Sequence, residues 1–582
     1  MKRLVWSELL GWTRNATAFV LVLGMLGCGG GSGAVSDMPA SREEAARFLT
    51  QATFGPTDRD IDAVMSMGYR DWIEDQFRRG GAPVHREHWD RADAEIKAAN
   101  PAGKAGQREV LDSFWSRAIR GDDQLRQRVA FALSQIFVIS MLDAGVAANA
   151  RGAAGYMDML ALHSFGNYRD LLDAVARHPM MGLYLSHLRN QKDDPATGRV
   201  PDQNFAREVM QLFTIGLNQL RSDGTPVLDA QGQPLETYTS DDIVGLSHVF
   251  TGFSWYSDRD EDACFYGRST CQHPDRQWHG MRAYAKFHST REKRFLGHTV
   301  AAGTNAEDSL RAALDVLFHH PNVGPFIGKQ LIQRLVTSNP SPAYVQRVAA
   351  AFDDNGAGVR GDMKAVVRAI LLDPEARSEA RARDPAFGKL REPVLRLTAF
   401  LRAFNATSDS GRYLVGITDD AGTSLGQSPL RAPSVFNFYR PGYVPPGTAL
   451  AAAGLVAPEM QITHAASVGG YANYMLSAVR YGVGQNGVDH KAPRRDVQVD
   501  FSAELAIAEH PDELVERMNQ RLLYGQMTEG LRNEIRRALE SVAIPVLPPT
   551  SSNLAQIQAA KLKRVQIAVL LTLVSPEFVV QR

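Results

Sequence analysis

The chain has 582 residues, with 64 basic and 64 acidic side chains, and this zero formal charge gives no case for a nucleic-acid partner. An apolar content of 44% is that of a globular protein, and nothing after Gly27 is long and apolar enough to cross a membrane. The length exceeds what a single hydrophobic core supports, so two lobes or one elongated body are expected.

The N-terminus is set aside before any fold is considered. Lys2, Arg3 and Arg14 form a basic lead, residues 16–27 form a short apolar run, and Cys28 ends it. This resembles a bacterial lipoprotein signal, with Leu26, Gly27 and Cys28 in the lipobox positions and Met25 where leucine is usual. The resemblance implies a signal peptide over 1–27, lipidation at Cys28, attachment to the membrane through that anchor, and residence in the cell envelope. Several acyl chains hold a protein stably where one does not. Gly29, with no aspartate at that position, leans towards the outer membrane. Residues 28–40 are then a Gly/Ser tether, and the folded part spans 41–582.

Ser41 with Glu44 three residues on is a capping box, and Ala45, Phe48, Leu49 and Ala52 follow at helical spacing. Gly55-Pro56 stops that helix. A second helix starts at Thr57 and closes at Gly68, and a third carries Trp72, Ile73, Gln76 and Phe77. Residues 80–106 are polar and read as a connection. From Arg108 the pattern is almost unbroken helix, with Leu125–Ser140 turning apolar along its length and therefore central. The chain lacks runs of alternating β-branched residues, so the fold class is all-α, a large multi-helix body. Four helices end on a polar residue followed by proline or a restart, at His178, His320, Asp373 and Ser575. These are helix corners, which makes His178 and His320 caps before they are catalysts.

The stretch Asp202 to Trp255 breaks the apolar rule. In the helix starting near Asn204, the side chains of Asn204, Arg207, Glu208 and Gln211 share one face among Phe205, Val209, Met210 and Phe213. A second helix, capped near Ser240, places Asp241, Gly245 and His248 together. Two long irregular, aromatic-rich regions follow, at 256–304 and 405–459, and are expected to be packed loops. The first holds Cys264 and Cys271, which in an oxidising compartment most simply pair as a disulfide. Further helices are expected over 308–336, 342–352, 363–372, 390–404, 463–481, 504–523, 528–542 and 554–574.

Several segments carry a family likeness. Asn190, then Asn204 to Glu208 with "QLFTIG", then "YTSDDIVGLSHVFTGFSW" and "FLG" at Phe295 resemble the bacterial family called domain of unknown function 1800, as do "FIGKQLIQRLVTSNPSPAYV" and "RAPSVFNFYRPG". The resemblance covers nearly the whole chain from Arg42. It implies an exported helical protein of unsettled activity, often accompanied by a member of the family called domain of unknown function 1501, which is similar to alkaline phosphatases and sulfatases. Where many members carry His-Asp before "FLG", this chain has His288-Ser289, so a carboxylate that a metal site would use is missing.

Two readings of the polar stripe follow. In the first, Glu208, His248 and Asp241 supply acid, base or a divalent-metal site in a cleft, while Arg207, Asn204, Asn190 and His288 bind an anionic or polymeric substrate for a hydrolase. In the second, Arg207 pairs with Asp241 or Glu208 in a structural network, and the protein binds or presents a partner such as the phosphatase-like companion. An open cleft at Glu208 and His248 distinguishes the first from the second.

Overall fold

Ser41 opens the first helix, Arg42–Ala52, as its sequence requires: its hydroxyl accepts the Glu44 N–H, and the Glu44 carboxylate accepts the Ala40 N–H at 2.9 Å. This computed structural model describes residues 36–80, 84–486, 494–546 and 553–582. The signal peptide, Cys28 and most of the tether lie outside them. Residues 36–582 form one compact unit, so the sequence's option of two lobes gives way to a single body. Helices dominate, as expected of an all-α chain, and the strands are confined to four sheets of two or three short strands among the described residues. None of the described helices is long and apolar enough to cross a membrane.

The core is built on helices buried all round. Every residue of Gln124–Ser134 and of Pro393–Ala403 is buried, polar side chains such as Gln127, Arg128 and Arg396 included. Val323–Leu335 packs on Pro342–Asp353, which packs in turn on Met363–Leu371. The four expected corners are present. His178 Nδ1 accepts the Met180 N–H, His320 Nδ1 accepts the Asn322 N–H, and the Asp373 and Ser575 side chains cap the helices they precede. Consequently the single helix expected over 308–336 is two, Ala306–His319 and Val323–Leu335, with the break at His320-Pro321.

Other expectations are corrected. The region 80–106 is not a connection but carries a helix, Val84–Ala99, anchored by buried His85, Trp89 and Ala92. Only these three positions face inward, and the surrounding charge hid the period. The expected break at Gly68 is present: within Asp58–Arg78 one helix gives way to the next where Gly68 leaves the helical conformation at a φ of 84°.

The two irregular regions are ordered by pairing. In the first, Phe253–Ser254 pairs with Arg282–Ala283, and Lys293–Phe295 with His298–Val300. Phe265, Tyr284, Phe287 and the two cysteines make a small separate core, with Phe265 and Phe287 stacked at 3.7 Å. The Cys264 and Cys271 sulfurs meet across it, with the Cα atoms 4.9 Å apart. The second region is tied down at several points. Asn339 exchanges two 2.9 Å hydrogen bonds with Val456, and Thr407–Ser408 pairs antiparallel with Val497 and Gln498; outside the region, Lys389–Leu390 pairs antiparallel with Val580–Gln581.

Candidate functional site

The polar stripe lies along the margin of a buried face rather than inside a cleft. The helix carrying it runs from Asn204 only to Gln211. Phe205, Ala206, Val209 and Met210 are buried, which turns Arg207 out to solvent and leaves Asn204 and Gln211 half-buried at the edge. Glu208 is buried with no hydrogen-bond partner on Oε2, and burial raises its pKa against the opposing charge of Arg207. Tyr238 donates to Gln211 Oε1 at 3.4 Å. Neither a pairing of Arg207 with Asp241 nor one with Glu208 occurs among the described ion pairs.

The remaining predicted residues separate into two places. Asp241 is exposed on the helix Ser240–Ser247, while its neighbour Asp242 accepts from Thr239 N at 2.7 Å and from Leu296 N at 2.6 Å. That helix lies against the strand Lys293–Phe295 because Gly245 has no Cβ: one would stand 1.6 Å from the Arg294 carbonyl oxygen. Asn190, His248 and His288 gather on the other side. The Asn190 amide donates to the Asp202 and Phe250 carbonyls at 3.3 and 3.4 Å. His248 Nδ1 lies 3.9 Å from Asp193, whose other oxygen is 2.8 Å from Arg291. His288 Nδ1 donates to the Thr251 carbonyl at 2.8 Å, and Nε2 faces the Ser309 hydroxyl at 3.3 Å. Burial lowers the pKa of His248 and takes His288 down to about 4. His288 is satisfied as a neutral ring, whereas His248 Nδ1 is buried with no hydrogen-bond partner, and Asp241 stays exposed on its helix.

The densest buried chemistry lies elsewhere. Glu392, at the start of Pro393–Ala403, is fully buried, and its Oε2 accepts from Gln135 Nε2 at 2.5 Å, Gln427 Nε2 at 2.6 Å and the Tyr439 hydroxyl at 3.0 Å. Beside it Lys389 Nζ is 2.8 Å from Glu459 Oε1 and donates to the Arg334 carbonyl at 2.9 Å. Arg128 donates to that same carbonyl at 2.6 Å. Arg334 itself donates to the Gln330 and Gln135 carbonyls at 3.1 and 3.0 Å. Three buried cations, Arg128, Arg334 and Lys389, thus face two buried carboxylates, Glu392 and Glu459, which leaves an excess of positive charge. Burial raises the pKa of Glu459 and lowers that of Arg334.

Two members of this centre, Gln135 and Arg334, also line the floor of a cleft of about 850 Å³. Gln135, Gln330 and Arg334 line it, and each leaves a polar atom without a partner: Gln135 Oε1, Gln330 Nε2 and Arg334 Nε. These side chains are only 5%, 7% and 4% exposed, so a ligand or ordered water is needed to satisfy them. Lys329 and Arg440 stand at the rim, with the Arg440 guanidinium 4.4 Å from the Phe436 ring. Gln211, the last residue of the predicted stripe, reaches the same cleft. Among the described residues lining it there are three cations, a set of amides, and neither a carboxylate nor a histidine.

A metal site finds little support. Among the described residues, the one gathered set of three potential ligands is Glu261, Cys264 and Cys271, and its sulfurs are spent on each other. The centre around Glu392 went unnoticed in the sequence because its members come from five separate segments. The signal was nevertheless of the kind used for Glu208: Arg128 and Arg334 sit with glutamines at three- and four-residue spacing on helices whose other positions are largely apolar, and Glu392 opens another. No curated protein and no solved structure matches the chain. The family model described as protein of unknown function (DUF1800) matches residues 47–580, and the chain belongs to that family.

Proposed function

We propose that this protein is a lipid-anchored envelope protein whose cleft binds an anionic, hydroxyl-rich ligand, such as an acidic glycan. The observation that carries this reading is the cleft's lining: Lys329, Arg334 and Arg440 with six amide side chains and no opposing carboxylate. Guanidinium groups hold carboxylate, sulfate or phosphate, and carboxamides can donate to and accept from sugar hydroxyls. A binding role is favoured over hydrolysis because the described lining offers neither a carboxylate nor a histidine to act as acid or base. A companion of the phosphatase and sulfatase type, which the family likeness implies, acts on anionic esters, the ligand class that this cleft fits.

Binding of polygalacturonate, with uncharged dextran as control, tests the reading. The acidic polymer is expected to bind and be released by salt, and the double variant Lys329→Glu/Arg440→Glu to bind it more than tenfold more weakly, about 1.4 kcal/mol or more. Equal affinity for dextran, or an unaffected double variant, would remove the cleft from the proposal.

The compartment is proposed from the Cys28 signal, with the Cys264–Cys271 pairing as support. Mass spectrometry of exported protein after thiol alkylation should find both loop cysteines unlabelled. Labelled thiols would take that support away.

A further inference from the structure

A second cavity, of about 440 Å³, opens where the irregular region 256–304 lies over the helices Ala150–His163 and Tyr168–Arg177. It shares no lining residue with the cleft above. Its walls are Met159, Leu162, Ala174 and the Trp278 indole, and Trp278 seats this closely because residue 155 is glycine: a Cβ there would stand 2.5 Å from the Trp278 Cβ.

One polar group in the lining is unspent. His178 is 3% exposed, and its Nδ1 already accepts the Met180 N–H at 3.2 Å, so the neutral ring carries its proton on Nε2. That Nε2 has no hydrogen-bond partner. Burial takes the His178 pKa down to about 3, which keeps the ring neutral across the physiological range. A buried N–H donor left unmatched is destabilising, so an acceptor arriving in the cavity recovers that cost.

The charges nearby are already balanced. Arg177 is paired with Asp173 at 2.9 Å and with Glu307 at 2.5 Å. The Arg86 guanidinium lies over Trp278 at 3.9 Å from the ring centre, and the Asp158 carboxylate accepts the His85 and Arg86 backbone N–H groups, each at 2.9 Å. With one carboxylate offsetting the one unpaired cation, the cavity has no excess charge with which to select an ion.

We infer that this cavity is a binding site for a small uncharged molecule with a flat apolar body and one carbonyl-type acceptor, held by His178 Nε2–H and packed on Trp278. Ligands of this kind enter cavities of this size and lining, where a single placed polar group fixes orientation. The site is independent of the anionic cleft, and each stands if the other fails.

The probe is 4-fluoroacetophenone, followed by fluorine NMR on the full folded chain, with 4-fluorobenzoate as the anionic control. The ketone is expected to bind saturably, to move the His178 Nε2–H resonance, and to bind at least tenfold more tightly than the benzoate. Ala174→Trp fills the cavity and is expected to abolish binding. Should that variant unfold, Leu162→Trp at the exposed rim replaces it. The inference fails if the ketone does not saturate, if the benzoate binds equally well, or if the filled variants still bind. It also fails if the Nε2–H resonance stays put, because His178 meets the Tyr156 ring edge to face at 4.9 Å and its proton would then belong to that ring.

Discussion

Lys389→Met is expected to destabilise the protein by about 3–5 kcal/mol, because it strands the buried Glu459 carboxylate. Glu459 is 2% exposed, and its one ion-pair partner among the described residues is Lys389 at 2.8 Å. The loss should depend on pH in a defined direction. Without the ammonium, the folded-state pKa of Glu459 rises further above its unfolded value. The folded state then binds a proton that the unfolded state has released, and stability increases as pH falls. The deficit is therefore greatest above neutrality and shrinks towards acid. The double variant Lys389→Met/Glu459→Met, which leaves no lone charge, should recover most of the loss. Urea unfolding across pH measures all three proteins. A single-variant loss below about 1 kcal/mol, or a double variant no better than the single, would show that the pair is not the buried ion pair described here.

Asp112→Asn should change the protein's pH dependence more than its structure. Asp112 is fully buried on the helix Gln107–Arg120, and neither carboxylate oxygen has a hydrogen-bond partner. Burial carries its pKa up to about 8 despite Arg412, whose Nη2 lies 3.8 Å away. A carboxyl group whose folded pKa exceeds its unfolded one binds a proton in the fold that the open chain has lost. Its contribution is intact below the unfolded pKa, near 3.8, and declines as pH rises to about 8, then levels off. The slope in that window approaches about 1.4 kcal/mol per pH unit. Asparagine has the same shape and no charge to titrate, so the variant should lose this slope and gain most at the alkaline end. Parallel melting-temperature curves for the two proteins between acid and alkaline buffer would refute the assignment.

The fold was legible where local rules decide it. Ser41, His178, Asp373 and Ser575 mark helix starts because a capping side chain acts within three residues of itself, and all four cap as expected. The helix Val84–Ala99 was missed because its inward face comes down to His85, Trp89 and Ala92, too few apolar positions to rise above the charges around them. The candidate site was legible in kind and not in place. Polar groups in oily helices do mark a buried charged centre, yet Arg207 turns outward and Gln211 alone of the stripe reaches the cleft. Helical periodicity fixes which residues share a face, and only tertiary packing decides whether that face meets another helix or water. The Glu392 centre draws on residues 128, 334, 389, 427 and 459, and no local pattern connects segments so far apart in sequence.

The antiparallel pairing of Lys389–Leu390 with Val580–Gln581 ties this centre to the order in which the polypeptide is made. Gln581 Nε2 donates to the Leu335 carbonyl at 2.7 Å, one residue beyond the Arg334 carbonyl that Lys389 and Arg128 share. A nascent chain emerging from its N-terminus therefore holds Arg128, Arg334 and Lys389 long before the strand that seals them exists. Contacts of such long sequence separation form late and slowly, and until then the charges stay hydrated and the apolar helices around them stay exposed. Acquisition of the charged interior thereby waits on residues 580–581, and a molecule lacking them would keep most of its helices while leaving this interior open.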